Sequence, residues 1–345
     1  MKFDTIIIGG GQAGLAMGYA LSKRKESYII IDENEDVGTS WRDRYDSLTL
    51  FTPRKYNQLF NISLNGNPNT FPTKDEIALY LKDFQQNHEL PIILNQKVIK
   101  LKRENKEWYR VITQSHSYLA KNVVIATGAF HTPFIPRIHD SSIEQMMHIS
   151  EYRNPEQIAN NKVLIVGAGN SGIQVAAELT KSHQVYLSKS KMLKRLPPEI
   201  AGKSLFWWME IFGVMKADTN SFVGKILKKN DPLIGEDLKT VKNAVRIMNR
   251  LEKIKDGFAH FHNGDKFTVD TVIWATGYRN DYSWVEVEGV IDQEGIPIHK
   301  SGVSNERGIY FIGLSWQRNR GSALLKGISN DAHVIADVMT QKKKV

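Results

Sequence analysis

Ile6–Ile7–Ile8–Gly9–Gly10–Gly11–Gln12–Ala13–Gly14 begins almost as soon as the chain does, and its reading decides the fold. A β-branched run passes through Gly-x-Gly-x-x-Gly into Leu15–Ala16–Met17, so the pattern joins a predicted strand to a predicted helix. In that setting Gly9 permits the tight turn, Gly11 lets backbone approach a pyrophosphate, and Gly14 allows close helix–strand packing. The helix N-terminus offers its N–H groups to the anion. The next apolar run, Tyr28–Ile29–Ile30–Ile31, ends in Asp32, at about the spacing where a carboxylate takes ribose hydroxyls. An adenine dinucleotide is expected here.

One such fingerprint also describes an ordinary strand-to-helix turn, but the device recurs. Val163–Leu164–Ile165–Val166–Gly167–Ala168–Gly169–Asn170–Ser171–Gly172 again has an apolar strand before it and a helix, Ile173 to Leu179, after it. Two loops imply two dinucleotides. A shorter echo follows each loop: Ala126–Thr127–Gly128 and Ala275–Thr276–Gly277 both lie at predicted strand ends, where glycine permits close approach to a bound cofactor.

A chain of 345 residues is long enough for two domains with cores of their own. Its 41% hydrophobic and 24% charged content belongs to ordinary soluble globular proteins. Met1–Lys2–Phe3–Asp4 runs straight into the first strand and no apolar run reaches spanning length, so a cytoplasmic protein is expected. The absence of cysteine excludes disulfides, thiolate metal sites and an internal dithiol relay. The net charge of +9 is spread along the chain apart from Lys342–Lys343–Lys344 and the stretch Lys189 to Arg195, which reads as a solvated basic surface with a local phosphate site. No nucleic-acid motif is present. His260-x-His262 lacks a third ligand, so no metal is expected.

Val37 to Pro53 is aromatic, has few helix-period repeats and sets Arg42 beside Trp41, which suggests either an irregular binding segment or a packed loop. Thr73 and Glu76 form a capping box for a helix carrying Ile77, Tyr80, Leu81 and Phe84 on one face. Val98 to Thr113 predicts a hairpin about residues 103–106. Pro133 and Pro136 mark a linker, with a domain boundary between residues 130 and 160. An insertion runs from about Leu196 to Lys255. Within it, Phe206 to Phe212 is too short to span a bilayer and suggests a helix over a cleft, with plain core or weak peripheral membrane contact as alternatives. Leu238, Val241, Val245, Met248 and Leu251 predict an amphipathic helix. Ile309–Gly313 is a last strand, and about Ser322 to Met339 a last helix.

The paired loops, the two Ala-Thr-Gly strand ends, the Ser40–Trp41–Arg42 stretch and the final strand and helix resemble the flavoproteins with two dinucleotide-binding domains. More closely, the chain is similar to the small bacterial flavin-containing monooxygenases, in particular the CzcO-like NAD(P)/FAD-dependent oxidoreductases. Asp46–Ser47–Leu48–Thr49–Leu50–Phe51–Thr52–Pro53, Asn230–Asp231–Pro232–Leu233–Ile234–Gly235, Trp274 to Tyr278 and Trp316 to Leu324 carry the resemblance, which runs end to end. It implies an α/β fold of two Rossmann-like domains, the NADPH domain inserted in the FAD domain: residues 1–153 and 279–345 for FAD, and 154–278, with the helical insertion at about 196–255, for the coenzyme. Gly9, Gly11, Gln12, Gly14 and Asp32 match the FAD loop, and Val98 falls where backbone meets the adenine. Thr127 and Gly128 approach the cofactor, while Gly313 and the residues after it, Gln317 among them, match the closing flavin contact. Gly167, Gly169, Asn170, Ser171 and Gly172 match the coenzyme loop, with Thr276 and Gly277 at its strand end. Trp41, Arg42, Thr52 and Asn170 are expected to shape the flavin pocket, Thr52 standing where larger relatives place an asparagine.

By that resemblance NADPH gives hydride to FAD, O2 adds at the flavin C4a position, and one oxygen atom passes to a soft nitrogen, sulfur or carbonyl substrate. The family's linker motif, Phe-x-Gly-x-x-x-His-x-x-x-Tyr/Phe, is half present: His148 and Tyr152 match, while Ser142 and Glu144 occupy the Phe and Gly positions. Two rivals therefore stand beside the monooxygenase: a flavin reductase or electron transferase of the same fold, and a flavin-based redox sensor linked to cation transport. Partners would be O2 and a small-molecule substrate, and a homodimer is left open. Val185–Tyr186–Leu187 runs into Ser188–Lys189–Ser190–Lys191 without a carboxylate, so NADPH is expected over NADH, with Ser188 or Ser190 and Lys189 or Lys191 at the 2′-phosphate.

Overall fold

The β-branched runs at Ile6–Ile8, Ile29–Ile31 and Val123–Ile125 are stiff at χ1 and, apart from half-buried Ile29, buried from both sides, so they read as continuous apolar stretches and not as alternating ones. In the computed structural model, which describes residues 1–190, 195–196, 199–219, 221–229, 233–234 and 243–341, they lie at the centre of one sheet. Strands Ile92–Ile93, Tyr28–Ile31, Lys2–Ile8, Ser117–Ile125 and Ile309–Phe311 run parallel, in that order. Ile6 sits opposite both Ile29 and Val123, and Val123 opposite Ile309, so the last strand returns from the far end of the chain. The first half of Ser117–Ile125 pairs antiparallel with Tyr109–Thr113, which folds back on Val98–Arg103 as the expected hairpin.

Helices Gln12–Ser22 and Leu325–Gln341 share one core through Leu15, Ala16, Met17, Ala20, Ile328, Ala332 and Ile335. Helix Lys74–Asn87 joins it with Ile77, Tyr80, Leu81 and Phe84. Its capping box is complete: the Glu76 N–H donates to Thr73 Oγ1 at 3.3 Å, and the Thr73 N–H donates to Glu76 Oε2 at 2.8 Å.

The second sheet is also parallel, in the order Arg246–Met248, Gln184–Ser188, Lys162–Val166, Thr271–Trp274, Gln145–His148. The chain thus enters this sheet at Gln145, ahead of residue 154. Strands Leu251–Lys255, Phe258–Phe261 and Lys266–Thr268 add a three-stranded antiparallel sheet.

The amphipathic helix expected through Val245, Met248 and Leu251 is corrected. Arg246–Met248 is an edge strand on Gln184–Ser188 and Leu251 opens the antiparallel sheet, while Leu238 and Val241 lie outside the described residues. Three apolar positions at helical spacing also fit two short strands that meet at a turn, and pairing with Tyr186–Ser188 overrides the weaker local signal. The sheets therefore resume at Arg246, and the helical part of the insertion ends before it. Helix Leu205–Ile211 forms where expected, capped by Ser204 Oγ, which accepts from the Trp207 N–H at 3.2 Å. Helix Phe222–Lys229 follows it. Of Asn230 to Gly235 only Leu233–Ile234 is described, paired with Arg195–Leu196. Among the described residues no helix is long and apolar enough to cross a membrane.

Because the box at Thr73 satisfies two otherwise orphan donors, Thr73→Ala should lower unfolding stability by about 1 kcal/mol. A urea melt with an unchanged m value and a lower midpoint is the expected result; an unmoved midpoint would count against the box.

Candidate functional site

The two glycine loops have the same construction. Gly9 has φ +107°, and a β-carbon on it would lie 2.5 Å from the Ala126 carbonyl oxygen; one on Gly14 would lie 1.8 Å from the Gly9 oxygen. In the second loop Gly167 has φ +111° with the Ala275 oxygen at 2.3 Å, and Gly172 faces the Gly167 oxygen at 2.1 Å. The middle glycines are different. Gly11 and Gly169 have ordinary φ values of −75° and −77°, and no atom lies within 4 Å of a β-carbon on either. The fold does not need them; the open space in front of each helix does. Neither helix has a side-chain cap, so first-turn N–H groups are left for a ligand. Asn170 is half-buried and Ser171 exposed at the second mouth, and Gln12 is half-buried at the first.

Asp32 is held at the first mouth. Its Oδ1 accepts from the Asn34 N–H at 2.8 Å and the Asn34 amide at 2.7 Å, and its Oδ2 accepts from the Gly10 N–H. The Gln96 N–H donates to the Asp32 carbonyl at 2.8 Å, which brings the segment leading into Val98 alongside. Gly128 and Gly277 have φ +77° and +80° and open space beside them. Their threonines differ: the Thr276 hydroxyl donates to the Phe134 carbonyl, whereas Thr127 Oγ1 is buried beside the Tyr282 hydroxyl. The open side of Gly11, the uncapped helix N-terminus and the Asp32 carboxylate at the same mouth fit a dinucleotide in the first loop.

Several expected contacts are committed elsewhere. The Arg42 guanidinium bonds Asp36 at 3.1 Å, the Val37 carbonyl at 3.2 Å and Thr39 Oγ1 at 3.1 Å. Trp41 packs against the first core. The buried Thr52 hydroxyl donates to Asn57 Oδ1 at 2.7 Å, and Asn57 Nδ2 donates back to the Thr52 carbonyl at 2.7 Å. Asn57 carried no signal in the sequence beyond lying near Pro53. Gly313, with φ +88°, brings its segment against Ala13. Gln317 closes the following turn, donating from Nε2 to the Phe311 carbonyl at 3.0 Å and accepting from the Leu314 N–H at 3.3 Å. Trp316 within that turn sits at φ +59°, a conformation that costs about 1–3 kcal/mol.

Ser188 is buried, its hydroxyl donating to the Asn249 carbonyl and accepting from the Leu251 N–H, both at 3.0 Å. It clamps a turn that presents exposed Arg250, a residue the sequence reading passed over. Lys189 is half-buried beside that turn, its N–H donating to the Met248 carbonyl at 3.2 Å, and Ser190 is exposed. Lys191 lies outside the described residues. Among the linker positions, His148 is buried and bonded through Nε2 to the Gly277 carbonyl at 3.0 Å, while Nδ1 accepts from the Ser150 N–H at 3.2 Å. Burial holds its pKa below the usual imidazole value. The Tyr152 hydroxyl donates to Glu178 at 2.9 Å, Ser142 Oγ accepts from the Gly257 N–H at 2.7 Å, and Glu144 accepts from Asn160 at 3.2 Å. All four are structural ties.

Helix Leu205–Ile211 buries Leu205, Phe206 and Met209 against Tyr56, with Phe51 and Leu324 at the edge; Phe51 stacks on Phe206 at 6.1 Å. It covers the segments about residues 51–56 and 320–324. Thr219 ties the same insertion to the turn beyond Gly313, its hydroxyl donating to the Trp316 carbonyl at 3.0 Å.

A family model for pyridine nucleotide-disulphide oxidoreductases matches residues 6–313. An uncharacterized CzcO-like oxidoreductase of Geobacillus kaustophilus is 44% identical over 342 residues, covering 97% of this chain and 98% of the relative. The indole-3-pyruvate monooxygenase YUCCA4 of Oryza sativa is 28% identical over 393 residues, covering 98% and 87%. Among solved structures, a flavin-containing monooxygenase from Stenotrophomonas maltophilia shares the fold with a TM-score of 0.83 at 22% identity, covering 99% of each chain.

The open side of Gly11 separates ligand from fold. Gly11→Val should melt within a few degrees of wild type and yet purify without flavin, whereas Gly14→Val should fail to fold because of the Gly9 oxygen. Absorbance near the flavin bands and a thermal melt check both; full flavin retention by Gly11→Val would remove the cradle assignment.

Proposed function

The chain belongs to the pyridine nucleotide-disulphide oxidoreductase family, and from that premise we propose an FAD-dependent monooxygenase that takes hydride from NADPH and passes one oxygen atom of O2 to a soft nitrogen, sulfur or carbonyl substrate. One observation carries the reading: two cradles of identical construction, each with a middle glycine that the fold does not require, stand in one chain. With no cysteine present, the chain has no internal disulfide to relay electrons, which leaves O2 or an external acceptor. The division proposed is an FAD unit built on the first sheet, including Ile309–Phe311, and a coenzyme unit built on the second.

Bound FAD supplies the two-electron chemistry and the reaction with O2; the chain binds, orients and excludes water. Gly9 to Gly14 would hold the pyrophosphate and Asp32 the ribose hydroxyls, with Thr127 and Gly128 at the neighbouring strand end. Gln317 shapes the closing turn from behind, and Arg42 and Thr52 act through the backbone they fix. Helix Leu205–Ile211 roofs Phe51 and Tyr56 and keeps that side dry. In the second loop Gly167 to Gly172 hold the coenzyme pyrophosphate at the mouth where Asn170 stands.

A second reading, reduction of an external acceptor without oxygenation, is favoured by Ser142 and Glu144, which bond surface partners in place of the family's Phe and Gly. Oxygenated product from an amine or sulfide, formed in step with NADPH oxidation, supports the first reading. Rapid quinone reduction with no oxygenated product supports the second.

Coenzyme choice falls on Lys189 and Arg250, because the Ser188 hydroxyl is held inside the fold. Wild type should favour NADPH in kcat/KM. Lys189→Ala and Arg250→Ala should each lose about 1.5–3 kcal/mol of that preference, mainly through KM. Equal kcat/KM for NADH and NADPH in the wild type would refute it.

A further inference from the structure

We infer that Tyr45 and Gln174 are a positioning pair that fixes the coenzyme helix against the segment beside the flavin. The inference rests on the two-cofactor reading above. Residues 42–49 form a strap between the two units. On the first unit it is anchored by Lys74, only 6% exposed: the ammonium donates to the Arg42 carbonyl at 2.8 Å, and the backbone N–H donates to the Leu48 carbonyl at 3.0 Å.

On the second unit the strap reaches into the core. Tyr45 is 3% exposed, packed in the cluster that contains Tyr152, Ile165 and Ile173. Its hydroxyl donates to Gln174 Oε1 at 2.6 Å, and Gln174 Nε2 donates to the Thr49 carbonyl at 3.0 Å. The Asp46 N–H donates to the Arg153 carbonyl at 2.7 Å, and Arg44 Nη1 donates to the Tyr278 hydroxyl at 2.8 Å.

Gln174 belongs to helix Asn170–Leu179, whose mouth is the second cradle. It lies four residues after Asn170, so the two share one helix face a single turn apart. Both ends of its amide are engaged by the strap, which fixes the helix in rotation as well as in height. Packing alone would be met by Phe and Leu, with no amide to desolvate. What the polar pair adds is direction, and hydride transfer is the step that depends on direction: a displacement of about 1 Å can cost on the order of a hundredfold in rate. Coenzyme affinity depends chiefly on the cradle and the basic turn, which the pair does not touch. The pair therefore acts on the rate of hydride transfer more than on binding.

The test is anaerobic stopped-flow reduction of the FAD-loaded protein by NADPH, comparing wild type, Tyr45→Phe, Gln174→Leu and the double variant. Each single variant should lower the limiting reduction rate about tenfold while the NADPH dissociation constant moves less than about twofold, and the double variant should be no slower than the slower single one. FAD content and thermal midpoint, followed in parallel, should stay near wild type for Tyr45→Phe, which removes one oxygen atom. An unchanged limiting rate, a loss matched by lost NADPH or FAD affinity, or additive losses in the double variant would overturn the pair. Wild type that binds FAD but is reduced by neither NADPH nor NADH would overturn the two-cofactor reading itself, and the pair's role with it.

Discussion

The constraint on which the rest of the structure depends is the approach of a helix to the strand that precedes it, so close that Gly14 faces the Gly9 carbonyl oxygen with no room for a β-carbon. That approach aims the helix N-terminus at the carboxyl end of a parallel sheet, where the first-turn N–H groups and the strand ends converge on one point. Gly172 and Gly167 repeat the arrangement in the second unit. In both, the strand end that limits the first glycine belongs to an Ala-Thr-Gly, through Ala126 or Ala275. The short echo is thus the wall against which each loop turns.

The two units are joined by two different kinds of contact. The passes of chain between the sheets pair with each other, Thr132–Pro133 against Tyr278–Arg279. Within the second unit, His148 ties the end of its strand to the Gly277 carbonyl, next to that pairing. The strap at residues 42–49 crosses beside it, bonding Tyr278 through Arg44, and places Tyr45 in the second core. Each polar contact contributes only about 0.5–1.5 kcal/mol, but they act on different elements, so a rotation of one unit against the other has to break several at once.

Legibility followed the range of the interaction. Both cradles could be read because the demands on Gly9, Gly14, Gly167 and Gly172 come from residues a few positions away or from a repeated strand end. The capping box at Thr73 and Glu76 is local for the same reason. Hydroxyl and amide partners were not legible, because Ser188 meets Asn249 and Leu251, and Tyr45 meets Gln174, across more than 60 and more than 120 residues. The misread helix at Val245 to Leu251 has the same origin: its spacing was helical, but its fate was settled by a strand edge some 60 residues earlier. Arg250 was overlooked because it stands in the turn between two strands that the sequence had merged into one helix.

The two cradles are nearly interchangeable in backbone, so on the proposed two-cofactor reading what assigns each dinucleotide to its own loop has to lie at the next strand end. After Tyr28–Ile31 the chain places Asp32, steadied by three donors from Asn34 and Gly10. That carboxylate is an acceptor for ribose hydroxyls and repels a 2′-phosphate. After Gln184–Ser188 the position corresponding to Asp32 is Lys189, near exposed Arg250, while the Ser188 hydroxyl is turned inward to clamp the Asn249–Leu251 turn. On the proposed reading, inverting the charge at one position of a shared design would separate a dinucleotide without a 2′-phosphate from one that carries it, and would leave the pyrophosphate-binding loops free to stay alike.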